Sequence, residues 1–204
     1  MLGEGTLARA LSPDFLELIL LPTEKCNFRC TYCYEDYALG RMPPSIIAGI
    51  KRLISNRSKK LKVLSISWFG GEPLLAKNIV LDIGTHAYNE CKKNNTQFIA
   101  GITTNGYMLE PALLHQLISI NHLNFQITLD GDEEWHNKTR IQANSKPTFD
   151  RIWNNLLLFK DIEQPFEVNL RLHVHKHNIE SSKRLYKKNK IRIRRRSQIQ
   201  SVLS

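Results

Sequence analysis

Three cysteines stand on one short stretch, Leu20 to Tyr34, at Cys26, Cys30 and Cys33, the spacing C-x3-C-x2-C. Thiolates this close in sequence can converge on a single inorganic centre. An iron–sulfur cube is usually held by four protein thiolates, so a three-cysteine loop leaves one iron open to a second molecule. A structural zinc site is the competing reading, but it needs a closed set of four ligands, and Cys91 and His86 lie far down the chain. Disulfides would leave a cysteine unpaired and require an oxidising compartment. Chance burial of three thiols fits poorly with Asn27 and the aromatic Tyr32 and Tyr34 beside them.

Other polar groups fall at the ends of apolar runs. Gly70-Gly71-Glu72-Pro73 follows Ile66-Ser67-Trp68-Phe69, where glycine allows a sharp turn and a close backbone approach to a ligand. Thr103-Thr104-Asn105-Gly106 reads on its own as a polar turn, and Asp130-Gly131 as another in which the aspartate caps. His173, His175 and His177 alternate, which puts them on one face of a strand. No carboxylate accompanies them, and a metal site there is disfavoured. Cys91, beside Lys92 and Lys93 on a helical segment, reads as a bystander.

The elements that must position these groups alternate along the chain. Strands are expected at Leu16–Leu21, Val63–Phe69, Phe98–Thr103, Leu123–Leu129 and Phe166–Val174, and helices at Met42–Asn56, Asn78–Lys92, Glu110–Ile120 and Phe149–Ile162. Such alternation implies right-handed βαβ crossovers and a parallel sheet, open or closed into a barrel. The cysteines and the three polar turns then lie at the carboxyl ends of strands, the active-site edge of a β/α barrel.

On these residues the chain resembles the radical S-adenosylmethionine (radical SAM) superfamily, whose signature C-x3-C-x-aromatic-C is met with Tyr32 in the aromatic place. The resemblance implies a partial (β/α)6 barrel, a 4Fe-4S cluster on Cys26, Cys30 and Cys33, and S-adenosylmethionine as the second cofactor. Gly70, Gly71 and Glu72 are similar to the family's GGE motif, which faces the methionyl amino group. Asn105 belongs to a third matching motif. Thr128 and Arg140 resemble the residues that bond the ribose and pair with the methionyl carboxylate, a task suited to a guanidinium fork. His136 is followed by Asn137 where relatives commonly carry aspartate, which weakens an acid–base role for that pair. The catalytic acid or base is not named by any motif. Trp68 to Leu75, with Leu129-Asp130-Gly131 and His136-x3-Arg140, looks like the peptide- and protein-modifying branch, similar to anaerobic sulfatase-maturating enzymes. That branch uses a one-electron donor such as a flavodoxin or ferredoxin, and usually continues into a cysteine-rich SPASM domain.

The chain of 204 residues carries a formal charge of +10. Nine basic residues and no acid follow Ser181, so the body is nearly neutral. A basic tail raises one alternative function, a nucleic-acid-binding or RNA-modifying protein, but no recognition fold or interleaved aromatics support it. No apolar run is long enough to span a bilayer, and Met1 to Pro13 lacks the order of a secretory signal, so the expectation is a cytoplasmic protein. The organisation expected is a lead-in at 1–15, the barrel at 16–182, and a basic, disordered or aberrant tail at 183–204. The tail shows no sixth strand: Arg192 to Arg196 cannot be buried cheaply. The barrel is therefore expected to be incomplete at its C-terminal strand, as in a truncated enzyme.

Overall fold

A computed structural model describes residues 12–192 and 199–203. Most of the expected lead-in, together with Arg194, Arg195 and Arg196 of the basic run, lies outside the described residues. The strands are β1 (Phe15–Leu20), β2 (Phe28–Cys30), β3 (Val63–Trp68), β4 (Gln97–Thr104), β5 (His122–Thr128), β6 (Arg140–Gln142), β7 (Glu167–Leu172) and β8 (Ile199–Leu203). The helices are α1 (Pro44–Arg57), α2 (Lys77–Lys93), α3 (Pro111–Ser119), α4 (Glu133–Thr139), α5 (Phe149–Leu158) and α6 (Ile179–Arg192). Six strands form one parallel sheet in the order β1-β3-β4-β5-β7-β8, each neighbour reached through a helical crossover. With β1 and β8 at opposite ends, the sheet is an open, partial (β/α)6 barrel.

Period-two burial explains why the sheet is covered on one face. Leu64, Ile66 and Trp68 of β3, Phe98, Ala100 and Ile102 of β4, and Val168, Leu170 and Leu172 of β7 are buried in a single core. The intervening Ser65, Ser67, Thr103, Gln126 and Asn169 are only half-buried, so the other face is a polar, partly open surface. Helices start where the sequence signals them: proline occupies the first turn of α1 and of α3, where its missing N–H costs nothing.

The core contains one polar pair that the periodicity conceals. Trp68 Nε1 donates to His122 Nε2 at 2.9 Å, and His122 Nδ1 lies 3.1 Å from Ile120 O, which fixes the tautomer with the proton on Nδ1. His122 is fully buried, and burial holds its pKa down at about 4.

The sixth strand, for which the sequence reading found no place, is β8, paired in parallel with β7 from Val168↔Ile199 to Leu172↔Leu203. The charged run had drawn the reading away from it, whereas the strand lies just beyond, at Ile199-Gln200-Ser201-Val202-Leu203. Helix α6 likewise runs past residue 182, and its Leu185 is buried. The fold therefore continues into the stretch expected to be a tail. Among the described residues no helix is long and apolar enough to cross a membrane.

Candidate functional site

The cysteine loop leaves β1 and crosses the carboxyl edge of the sheet, tied down along its length. Met42 N donates to Pro22 O at 2.9 Å, and Thr23 bridges Arg41. Strand β2 pairs antiparallel with β6, which sets Cys30 directly opposite Arg140, and Thr31 N donates to Thr139 O at 2.9 Å. The third tie is to Gly70-Gly71-Glu72, where Glu72 N donates to Lys25 O at 3.0 Å. A Cβ on Gly71 would sit 2.2 Å from Glu24 O, and one on Gly70, whose φ is +110°, would sit 2.6 Å from Thr23 O. Both glycines are needed because the backbone of the cysteine loop presses against them.

One cavity of about 150 Å³, open to solvent, is lined by Cys26, Cys30 and Cys33 together with Tyr32, Gly70, Gly71, Asn105, Thr128 and Arg140. Four strand ends thus meet at one place. Glu72 is the residue of the expected set that does not line it. It is fully buried behind the cavity, where Oε1 accepts from Leu74 N (2.9 Å) and Thr104 Oγ1 (2.8 Å) and Oε2 accepts from Asn105 N (2.7 Å). Burial pushes its pKa up against those three donors. Glu72 therefore couples the Gly-Gly turn to the Thr104-Asn105 turn, and Asn105 in turn donates to Asn27 Oδ1 at 2.8 Å, beside Cys26.

The donor set fits an iron–sulfur cluster. Cys26 Sγ accepts from Phe28 N at 3.4 Å and Cys33 Sγ accepts from Tyr37 Oη at 3.1 Å, so both sulfurs already sit in hydrogen-bonded seats. Burial pushes the Cys26 thiol up to about 11, reinforced by Glu72 and Cys30 and opposed by Phe28 N–H and Arg140, and burial raises Cys30 as well. Thiols held protonated in this way become thiolates only when a metal centre compensates the charge. Among the described residues no group of three His, Cys, Asp or Glu is drawn together around a single ion. A cube makes no such demand, because its protein thiolates attach to different irons.

Arg140 is buried, and among the described residues no carboxylate pairs directly with it. Its Nη1 donates to Tyr32 Oη at 2.7 Å, and Tyr32 Oη donates to Asp130 Oδ2. Burial works against the guanidinium charge, but Cys30, Tyr32 and Asp130 outweigh it and push the pKa up. Burial raises the Tyr32 hydroxyl too, so it stays a neutral spacer between cation and anion. Among the described residues Arg140 Nε and Asp130 Oδ1 are buried without partners. A guanidinium with unspent donors beside a cavity is equipped to take a carboxylate.

His136 and Asn137 serve the frame. Asp130 N donates to His136 Nδ1 (3.4 Å), so Nε2 carries the proton toward Thr148 Oγ1 (3.1 Å), whose hydroxyl donates to Arg140 O (2.5 Å). Burial holds His136 down at about 3, with Arg140 adding to the effect. Asn137 Oδ1 accepts from Thr148 N (2.9 Å) and Phe149 N (3.0 Å), capping the start of α5 from another helix. That task needs an acceptor oxygen, which asparagine supplies as well as aspartate. His173 packs edge-on to Tyr32 at 4.8 Å, and His175 and His177 continue away from the cavity. Cys91 is buried in the core. The sequence reading noted Asn27 beside the cysteines without giving it a role, and it missed Tyr37 and Thr148. Their partners come from distant or irregular segments, so only the proximity of Tyr37 to Cys33 could have signalled any of them.

Residues 20–188 match the radical SAM superfamily, and the chain belongs to it. It is 28% identical over 184 residues to a cysteine-type anaerobic sulfatase-maturating enzyme of Clostridium novyi (strain NT), covering 84% of this chain and 47% of that protein. A GTP 3',8-cyclase of Desulforamulus reducens is 24% identical over 152 residues, which are 72% of this chain and 44% of that one. Among solved structures, a polyhistidine-tagged anSMEcpe with bound AdoMet superposes with a TM-score of 0.75 at 20% identity, covering 93% of this chain and 51% of the other. Streptococcus suis SuiB bound to its precursor peptide SuiA gives 0.57 at 17% identity, with 87% and 38% covered. At these identities the structural likeness speaks for the fold. The chain spans about half the length of the relatives it matches.

Proposed function

We propose that the chain cleaves S-adenosylmethionine reductively and modifies a peptide or protein side chain, working in the cytoplasm with a one-electron donor such as a flavodoxin or ferredoxin. The observation that carries this reading is the meeting of three cysteines, the Gly70-Gly71 turn and the buried Arg140 around one cavity. Cys26, Cys30 and Cys33 would hold a 4Fe-4S cluster, which when bound supplies the electron that breaks the sulfonium bond and yields a 5′-deoxyadenosyl radical for hydrogen abstraction. The residues of the chain bind and orient. Arg140 offers its free donors to the methionyl carboxylate, while Tyr32 keeps Asp130 from pairing with it directly. Gly70 and Gly71 leave room for the methionyl end beside the cluster loop, Thr128 faces the same cavity for the ribose, and Glu72 with Asn105 keeps the two turns in register. A peptide substrate is supported by the neighbours that hold one: SuiB with SuiA, and anSMEcpe with the Kp18Cys peptide.

Anaerobic reconstitution is expected to load one four-iron cluster per chain, and dithionite with S-adenosylmethionine to release 5′-deoxyadenosine. Cys30→Ala should lose both. Iron content and product formation equal to wild type in that variant would sink the assignment.

A further inference from the structure

One hydrogen bond at the cavity runs from a side-chain hydroxyl to a cysteine sulfur. Tyr37 Oη lies 3.1 Å from Cys33 Sγ, the thiol of the three that is exposed. Tyr37 lies outside any helix or strand, yet its ring is clamped. Lys25 Nζ donates to its carbonyl at 2.5 Å, and the Arg29 guanidinium stands 4.5 Å from its ring centre while Nη1 donates to Cys26 O and Phe28 O. The residues that hold the tyrosine thus directly precede two of the cysteines. The following segment is tied back by Leu39 N to Glu24 Oε2 at 2.7 Å. Tyr37 itself takes φ +58°, a left-handed conformation that a tyrosine keeps only where its surroundings impose it. Several independent contacts, and some backbone strain, therefore converge on delivering one hydroxyl to one cluster sulfur.

A hydroxyl that donates to a thiolate stabilises extra negative charge on the cluster, and so favours its reduced state. Hydrogen bonds to the sulfurs and solvent exposure are among the features that set the potential of such clusters. Cys26 accepts a backbone N–H from Phe28 at 3.4 Å, which no side-chain substitution removes, and a longer contact from Asn105 Nδ2 at 4.0 Å, whereas the 3.1 Å bond to Cys33 is carried by the Tyr37 side chain. We propose that Tyr37 is a tuning residue of this site, whose hydroxyl raises the reduction potential of the cluster held by Cys26, Cys30 and Cys33 and brings it within reach of a biological one-electron donor. The inference rests on the cluster reading above and adds to it the residue that sets the potential.

The test is an anaerobic redox titration, followed by electron paramagnetic resonance, of reconstituted wild type and Tyr37→Phe, which keeps the ring and its cation contact but removes the hydroxyl. The midpoint is expected to move to a more negative value at unchanged iron content. A midpoint equal to wild type, with the cluster loaded in both, overturns the tuning role and leaves the cluster assignment standing. Failure of wild type itself to load a cluster overturns both. Should Tyr37→Phe load poorly, 3-fluorotyrosine incorporated at position 37, a stronger donor with the same framework, is expected to move the midpoint upward, and an unmoved midpoint there is equally decisive against the proposal.

Discussion

Gly71→Ala adds a single methyl group at the place where the cysteine loop is pressed most tightly. The new Cβ would lie 2.2 Å from Glu24 O, 2.7 Å from Lys25 O and 2.8 Å from Glu24 C, where ordinary contact begins at 3.4 Å. The obstacle is backbone, so no side-chain rotation relieves it, and the loop must retreat by about 1 Å just before Cys26. That movement stretches the 3.0 Å bond from Glu72 N to Lys25 O. Overpacking costs about 1–3 kcal/mol, and a buried donor left unpaired costs about 1–3 kcal/mol more. A loss of about 2–6 kcal/mol is expected, together with reduced iron uptake because the first cysteine is displaced. Urea unfolding of the metal-free chain and iron content after reconstitution measure the two effects. Gly49→Ala is the control: it lies inside α1 with nothing within 4 Å of its added Cβ, and should stabilise by roughly 0.5–1 kcal/mol. If Gly71→Ala matches wild type in both stability and iron, the glycine does not act by admitting the loop.

His122 and His136, held at about 4 and about 3 by burial, are neutral in the fold and take up protons on unfolding. Their contribution is complete above about pH 6.5 and is lost as pH falls toward their folded values. At pH 5 each has lost on the order of 2 kcal/mol. Glu72, pushed up by burial, works in the opposite direction, so one group offsets part of what two lose. Urea midpoints should therefore fall between pH 7.5 and pH 5, and a flat profile would contradict the buried neutral histidines. Asn137→Ala should cost about 1 kcal/mol by uncapping α5, whereas Asn137→Asp should hold or gain stability in thermal melts. An unaffected Asn137→Ala would remove the capping role. Arg140→Lys keeps the charge but loses the fork, so calorimetry should show S-adenosylmethionine binding weakened about tenfold or more; equal affinity would detach Arg140 from the carboxylate.

How much of this was legible in the sequence depends on the range of each interaction. The five long strands and the helices between them follow from local periodicity, and the expected ends differ from the observed ones by only a few residues, as in Phe166–Val174 against Glu167–Leu172. What escaped was set by distant partners. Strand β2 is three residues long and exists because β6, more than a hundred residues later, pairs with it. The short helix α4 starts at the Asp132 cap, in a stretch read only as the approach to Arg140. Strand β8 follows a charged run that no core-forming pattern crosses. The cysteines, by contrast, announced themselves, since their chemistry depends on spacing within one loop.

The same distinction of range sorts the polar residues into those that face the cavity and those that build it. Arg140 and Glu72 are both buried ions expected to meet the same ligand, yet they end differently. Three donors from two turns surround the Glu72 carboxylate, which consumes its capacity and fixes the edge of the cavity. Among the described residues the Arg140 guanidinium has one hydrogen bond, to a neutral hydroxyl, and a buried Nε with none. A buried charge is costly unless paired and hydrogen-bonded, so the arrangement is complete for Glu72 and incomplete for Arg140. His136 and Asn137 fall with Glu72, because both ring nitrogens of His136 and the Oδ1 of Asn137 are spent on Asp130 N, Thr148 or Phe149 N. Asparagine in place of the family's aspartate therefore costs the site nothing that a cap requires. The unfilled demand at this edge of the sheet lies on Arg140, on Asp130 Oδ1 and on the three thiols, and Arg140 and the thiols are the groups on which a carboxylate-bearing cofactor and a cluster would act together.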